Sequence, residues 1–377
     1  MYSKYIICTS VLVLSLALAL FLQSCTRDSD SGENHVEQFD ELPIIMPEPM
    51  IMMEEIGEDY LTHLSYSSVA LEDGSVLVGD RELRKLFRIS ADGDLLEVAA
   101  RGGRGPGEIQ DVIWVRQSAS GFILLYDAMN AKLIKFDEHG KFADEFIFPQ
   151  HESGSLNNVY QPGESEYLLV YRSFDYLYES DSNRGPETRI GMFDRETERH
   201  GSNITLPDQE YAPHTINGMI VGGRMVPYTG GHVRYFNPAD RSLYVMLSDQ
   251  SHITRFDAQL DTVETIRFEL HPERVNDEDK TASREEVDDD DMWRAIEPLL
   301  PEYKALADDM KIDSEGNFWL KLNHRSNMQR WLVISPEGSR KAMVHLPKDA
   351  MLTHISEHHL GVRLDHHVFA LFEPVSF

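Results

Sequence analysis

The chain of 377 residues has two cysteines, Cys8 and Cys25, and none beyond them. Nothing after Cys25 can form a disulfide, act as a thiolate nucleophile or build a cysteine-ligated zinc or redox site. Positive charge is scarce as well. Lys and Arg number 35 against 64 Asp and Glu, a net charge of −29. Such a surface repels phosphate backbones and anionic headgroups, so nucleic acid is excluded as a partner. The apolar run Val11 to Leu22 is about a dozen residues, and a membrane span needs about 20. Catalytic signatures are missing too. The chain has no Gly-x-Ser-x-Gly elbow and no His-Glu-x-x-His zinc motif.

What is there begins at the N-terminus. Lys4 is the only charge before the apolar run, which has the length and flanks of a secretory signal. The run ends in Leu22-Gln23-Ser24-Cys25. This resembles the lipobox of bacterial lipoproteins, although Gln23 stands where Ala, Ser or Thr is usual. The resemblance implies cleavage before Cys25 and lipidation of Cys25. An ordinary signal peptide and a plain transmembrane anchor are the competing readings. Residues 1–24 are thus expected to be a lipoprotein signal peptide and 25–38 a flexible acidic tether. Thr26 to His35 is polar, with no apolar periodicity. Thr26, rather than Asp, follows the cysteine, which in such lipoproteins favours the outer membrane. The acidic run Asp28 to Glu33 resembles the surface-export signal of Bacteroidota lipoproteins. The periplasmic and cell-surface faces both stay open.

Internal repeats set the fold. Gly74 matches Gly121, Asp80 matches Asp127, Lys85-Leu86 matches Lys132-Leu133, and Gly93 matches Gly140. Every pair is offset by 47 residues. A period in the 40s is that of four-stranded propeller blades. Each unit reads as a turn glycine, an apolar strand, an aspartate and a second strand ending in a turn. Weaker copies are Arg189 to Asp194, His252 to Asp257, Lys311 to Leu320 and Trp331 to Gly338. The length after the tether holds about six such units. The expected architecture is an all-β, six-bladed β-propeller, a single domain over 39–377. A ring has no free edges if an N-terminal strand completes the last blade. Pro43 to Met53 is the candidate, beside Val368 to Phe372.

These repeats resemble the NHL-type six-bladed propellers of Bacteroidota and related bacteria. The most specific motif is Arg101-Gly-Gly-Arg-Gly-Pro-Gly-Glu108 before Val112-Ile-Trp-Val115. In that family a similar segment links successive blades. The match runs over about residues 65–146 and again over 310–340. It implies fold and envelope location more than activity.

One stretch breaks the β pattern. Residues 273–310 are highly charged and carry helical sequence after Asp288 to Asp291. Acidic residues at a helix N-terminus suit the dipole, and Pro298 and Pro301 must end or kink the helix. A short helical insertion before the final blades is expected, near the channel mouth. It reads either as a solvated elaboration or as a lid.

Candidate site residues follow from local chemistry. Arg101, Arg104 and Glu108 flank a glycine-rich turn that lacks the Lys-Ser/Thr end of a phosphate loop. They could still point at the channel. Gly218 to Asn237 gathers Arg224, Tyr228, His232 and Arg234 beside Gly222-Gly223 and Gly230-Gly231. That combination suits a ligand-facing loop or a structural hairpin. With Arg172, these residues are expected to converge at one mouth of the channel. His345, His354, His358, His359, His366 and His367 crowd the C-terminus. Adjacent histidines on a strand face opposite sides, so neither pair alone can chelate. A metal site built from one of each pair is the alternative to the expected surface positions. No metal, cofactor or catalytic residue is assigned.

The sequence therefore reads as a lipid-anchored envelope propeller, monomeric, acting as a non-catalytic binding module. Its partner would be an unknown envelope protein, peptide or glycan. The alternative is a metal-dependent hydrolase or lyase of the propeller type with an axial metal site. A purely structural envelope component is the third possibility. A channel lined by convergent Arg, His and Tyr favours binding or catalysis, and an apolar plug favours structure.

Overall fold

The second strands of the first two blades are buried along their whole length rather than on alternate residues. Val76–Asp80 and Ile123–Asp127 are buried at every position. That pattern belongs to strands covered on both faces, here by neighbouring sheets. A computed structural model describes residues 39, 41–149, 154–178, 185–323 and 326–377. The expected signal, Cys25 and the tether lie outside the described residues.

Six four-stranded antiparallel blades succeed one another in Pro43–Phe377. Blade 1 spans 64–100, blade 2 114–147, blade 3 155–207, blade 4 232–267, and blade 5 307–347. Blade 6 takes three strands from 351–372 and its outermost from Pro49–Met53. Each blade runs from an inner strand at the axis to an outer strand at the rim. Pro49–Met53 pairs antiparallel with Val368–Phe372, Met53 opposite Phe369. The expected closure is therefore present. The segment does more than expected: Ile44–Ile45 lies parallel against Arg340–Pro347 and caps blade 5 as well.

The 47-residue repeat has a physical cause at each matched position. Gly74 and Gly121 have φ of +80° and +83°, and Gly93 and Gly140 have +84° and +80°. Only glycine enters that region without cost, so both hairpin turns keep it. Asp80 and Asp127 are fully buried. Asp80 accepts from the Thr62, His63, Glu82 and Leu83 amides at 2.7–3.1 Å. Asp127 accepts from Gln110 N at 2.8 Å and Met129 N at 3.1 Å. Each carboxylate thus ties its own turn to the link leading into an inner strand. A second device recurs at Asp137 and, in its weaker copy, at Asp257. Asp137 accepts from His139 and Lys141 amides, and Asp257 from Gln259 and Asp261 amides, all at 2.9 Å. These are side-chain turns closing the two outer strands.

Apolar side chains pack between blades. Leu77, Val112, Val115 and Leu125 join blades 1 and 2. Trp319, Trp331, Leu352 and Val362 join blades 5 and 6. Inner strands are also stitched directly: Ser67 Oγ donates to Val115 O at 2.8 Å and accepts from Val115 N at 2.9 Å.

Two elaborations interrupt the ring. A hairpin, Tyr211–Ile216 with Met219–Met225, stands in the link from blade 3 to blade 4. Helices α1 (Asp277–Glu285) and α2 (Asp290–Ile296) stand in the link from blade 4 to blade 5. Asn276 and Asp279 form a reciprocal capping box on α1, and Asp289 caps α2. After α2 the chain makes one tight turn, Glu297–Leu299, containing Pro298. The insertion ends sooner than 310, because Ala307–Ile312 is already the inner strand of blade 5. Ala212 in the hairpin and Val226 just after it pack with Val287, Met292 and Ile296 of the helical segment. None of the described helices is long and apolar enough to cross a membrane.

Candidate functional site

Inner strands of a propeller face an axis with no partner sheet, so their side chains line a channel. In this chain that channel is polar. Ser68, Arg116, Tyr160, Arg234, Lys311 and His354, one from each blade in turn, surround a cavity of about 260 Å³. A second cavity of about 170 Å³ lies where inner strands begin, lined by Arg172, Thr188, Asp208, Gln209, His232 and Arg234. Arg234 lines both.

The mouth is organised by Asp208. Arg172 Nε and Nη2 each lie 2.5 Å from its carboxylate, a bidentate fork. Thr188 Oγ1 and Gln209 N also donate to it, at 2.6 and 2.7 Å. Burial alone would raise this carboxyl. Its hydrogen bonds and the Arg172 charge outweigh burial and hold it down at about 2. His232 Nδ1 sits 2.7 Å from Pro207 O, an obligate acceptor, so this nitrogen carries the proton. His232 Nε2 must then accept from Arg234 Nη1, at 2.5 Å. The ring stays neutral, lowered to about 4 by burial and by the Arg234 charge.

Inside the channel, the Arg116 guanidinium lies 5.0 Å from the Trp114 ring centroid and 4.7 Å from that of Tyr160. Burial pushes the Tyr160 hydroxyl up, but Arg116 and Arg234 outweigh burial and bring it below the ordinary tyrosine range. Lys311 Nζ is neutralised by Asp309 at 2.5 Å. On the opposite wall, Ser68 Oγ lies 2.6 Å from both Thr353 Oγ1 and His354 Nδ1. His354 Nε2 is 3.0 Å from His359 Nδ1, and His359 Nε2 is 3.2 Å from Gly74 O. Thr353 Oγ1 donates to Gly361 O at 2.9 Å.

The sequence candidates separate into three groups. Arg172, His232 and Arg234 converge at the mouth. Arg224 and Tyr228 instead fasten the insertion: Arg224 Nη2 donates to Glu286 O at 2.7 Å, and Tyr228 Oη to Asp279 O at 3.2 Å. Lys304 Nζ lies over the Tyr228 ring and pairs with the buried Asp279 at 2.9 Å. Arg101, Arg104 and Glu108 line neither cavity. The Glu108 carboxylate accepts from Gly105 N at 2.6 Å and so closes its own loop.

Two further readings change. Gly230 and Gly231 are packing glycines rather than flexible ones. A Cβ on Gly231 would lie 2.4 Å from Asp208 Cα, and one on Gly230 2.4 Å from Ser248 Cβ. His354 and His359, expected at the surface, are 8% and 1% exposed. Among the described residues, no three His, Cys, Asp or Glu side chains are grouped closely enough to hold a metal ion.

Sequence reasoning missed Arg116, Tyr160, Ser68 and Asp208. Arg116 had a usable signal, since it sits two residues after Trp114 in the strand that follows the glycine-rich link. The others carry no local motif.

No family model and no curated protein matches the chain. Among solved structures, a member of the DUF4221 family from Bacteroides vulgatus superposes with a TM-score of 0.50 at 11% identity, over 87% of this chain and 97% of that one. A Bacteroides fragilis protein described as exported gives 0.50 at 11% identity, over 89% and 100%. A gluconolactonase from Xanthomonas campestris gives 0.44 at 12% identity, over 83% and 86%. At such identities the likeness is one of fold, and the chain is a six-bladed β-propeller similar in architecture to these two Bacteroides proteins.

Proposed function

We propose that this chain is a cell-envelope β-propeller, anchored through lipidated Cys25, that binds a ligand in its axial channel without turning it over. The reading rests on one observation: all six inner strands present polar or charged side chains to an open cavity, and Arg234 shares it with a mouth lined by Arg172 and His232. A structural ring would gain more by filling its axis with apolar side chains, because burying ionisable groups there costs free energy. A fold relative described as exported is in keeping with the envelope. So is the lipobox-like Leu22 to Cys25. The bound species is a peptide or glycan segment, or a side chain of a partner protein, small enough to enter the mouth.

The test is a thermal-shift screen of the purified protein against envelope-derived peptides and glycan fragments. A bound class raises the melting temperature in a concentration-dependent way. The same preparation is analysed for metal. Retention of about one calcium or zinc per chain would move the assignment to a metal-dependent hydrolase or lyase.

A further inference from the structure

The channel carries positive charge that the acidic surface around it does not. Arg81, Arg172, Arg195 and Arg255 each hold a carboxylate. Arg116 and Arg234 form no such ion pair among the described residues, although acids outnumber bases 64 to 35. The Nε atoms of both are buried and lack a hydrogen-bond partner. Both guanidinium groups also hydrogen-bond the Tyr160 hydroxyl, and Arg234 donates to His232, so the unmet donors are the two Nε atoms. Buried polar groups are normally satisfied, and two such donors mark where an acceptor is missing.

Both donors are also held in place. Arg116 is laid against the Trp114 and Tyr160 rings. Arg234 is pinned through His232 to Pro207 O. Their common neighbour is the Tyr160 hydroxyl, which both guanidinium charges act upon. Two oriented guanidinium groups around one point match the geometry of an oxyanion. Tyr66, Tyr235 and Phe236 supply flat apolar walls to the same cavity.

We propose that the channel binds a small organic carboxylate, its oxyanion between Arg116 and Arg234 and its body against Tyr66, Tyr235 and Phe236. This deepens the ligand-binding reading above and rests on it. A cavity of about 260 Å³ admits a single ring-sized acid or one acidic residue of a longer chain. A monoanion suits the site better than a dianion, because the Asp309 carboxylate lines the same cavity. The surrounding acidic surface makes entry of an anion slow, so affinity must come from the channel itself.

Titration calorimetry on the purified full chain tests the assignment with benzoate and glucuronate, their uncharged counterparts benzamide and glucose, and inorganic phosphate. At least one carboxylate is expected to saturate, and its uncharged counterpart to bind at least about tenfold more weakly. Arg116→Gln and Arg234→Gln are each expected to weaken the carboxylate by about tenfold or more. Arg116→Lys and Arg234→Lys keep the charge, lose the fork and fall between. Circular dichroism melts confirm folding, and the lysine variants carry the comparison if a glutamine variant fails to fold. Phosphate binding tighter than either carboxylate overturns the proposal. So does unchanged carboxylate binding in the folded variants. Saturation by neutral probes alone overturns the carboxylate and leaves the ligand-binding channel standing. Failure of every probe overturns the carboxylate, and the peptide and glycan screen then decides the broader reading separately.

Discussion

His354 Nε2 faces His359 Nδ1 at 3.0 Å, and that contact is the middle of a chain with a carbonyl at each end. The chain runs from Gly361 O through Thr353, Ser68, His354 and His359 to Gly74 O. It has five contacts. Two hydroxyls and two neutral imidazoles bring one proton each, so four protons serve five contacts. One added proton would complete it, but burial opposes the charge. Burial, with His359 adding to it, lowers His354 to about 3, and His359 is lowered mainly by burial too.

This fixes the sign of a pH dependence. Unfolded, a histidine titrates near 6.5, and folded His354 titrates near 3. Between those values the unfolded chain binds more protons. Stability is therefore complete above about 6.5 and falls as pH drops toward 3, by on the order of a few kcal/mol for this residue. Urea denaturation from pH 7 to 4 should show the fall, and His354→Gln should flatten it. An unchanged slope in the folded variant would assign the dependence to other groups.

Tyr160 should behave differently from Tyr235, which lines the same channel. Arg116 and Arg234 bring its hydroxyl below the ordinary value of 10, whereas burial raises Tyr235. Ultraviolet titration of tyrosinate should contain an early component that Tyr160→Phe removes. Arg116→Gln should shift this component to higher pH. If the component survives Tyr160→Phe, the two guanidinium groups do not act on this hydroxyl.

The Arg172–Asp208 fork should matter for stability as well as for the mouth. The Asp208 side chain is 9% exposed and that of Arg172 is 25% exposed. Asp208→Ala leaves a half-buried guanidinium without its acceptor, and a loss of about 2–3 kcal/mol is expected. Because Asp208 is held near pH 2, this contribution persists through neutral and mildly acidic conditions and disappears only as pH falls below about 4. Chemical denaturation of both proteins at pH 7 and pH 3 measures it.

Two glycines of one segment, Gly231 and Gly222, should respond differently. Gly231→Ala forces a Cβ against the Asp208 backbone, and about 2–3 kcal/mol of destabilisation is expected. Gly222→Ala meets open space and should change stability by less than about 0.5 kcal/mol. Equal effects in urea denaturation would contradict the packing role assigned to Gly231.

Lipidation is tested directly on the chain as synthesised in a bacterial host. Fatty-acid labelling should mark the native protein, and Cys25→Ser should abolish the label and release the protein from the membrane fraction. Persistent labelling after Cys25→Ser would place the modification elsewhere.

The fold was legible where the same physics recurs in every blade. Turn glycines and tying aspartates face the same constraint each time, so Gly74 and Gly121, or Asp80 and Asp127, stay in register. Axis-facing positions have no such recurrence. Each inner strand contributes a different side chain to one shared cavity, so Arg116, Tyr160 and Ser68 carry no repeat signal. They become neighbours only through ring closure. Arg224 and Tyr228 misled for a related reason. Arginine and tyrosine beside glycine look alike whether they meet a ligand or, as at Glu286 and Asp279, a backbone carbonyl of an inserted helical segment.

The strand Pro49–Met53 has a consequence in time. It is made more than 300 residues ahead of its partner Val368–Phe372. Until Val368–Phe372 has been made, blade 6 has no complete sheet and the ring cannot shut. Shutting it joins residues more than 300 positions apart, which makes it a slow and late event. Until then the inner strands enclose no channel, and the arginines of different blades are not neighbours. Any binding that depends on them is therefore acquired at once, when the ring closes, and only by chains that extend through Val368–Phe372.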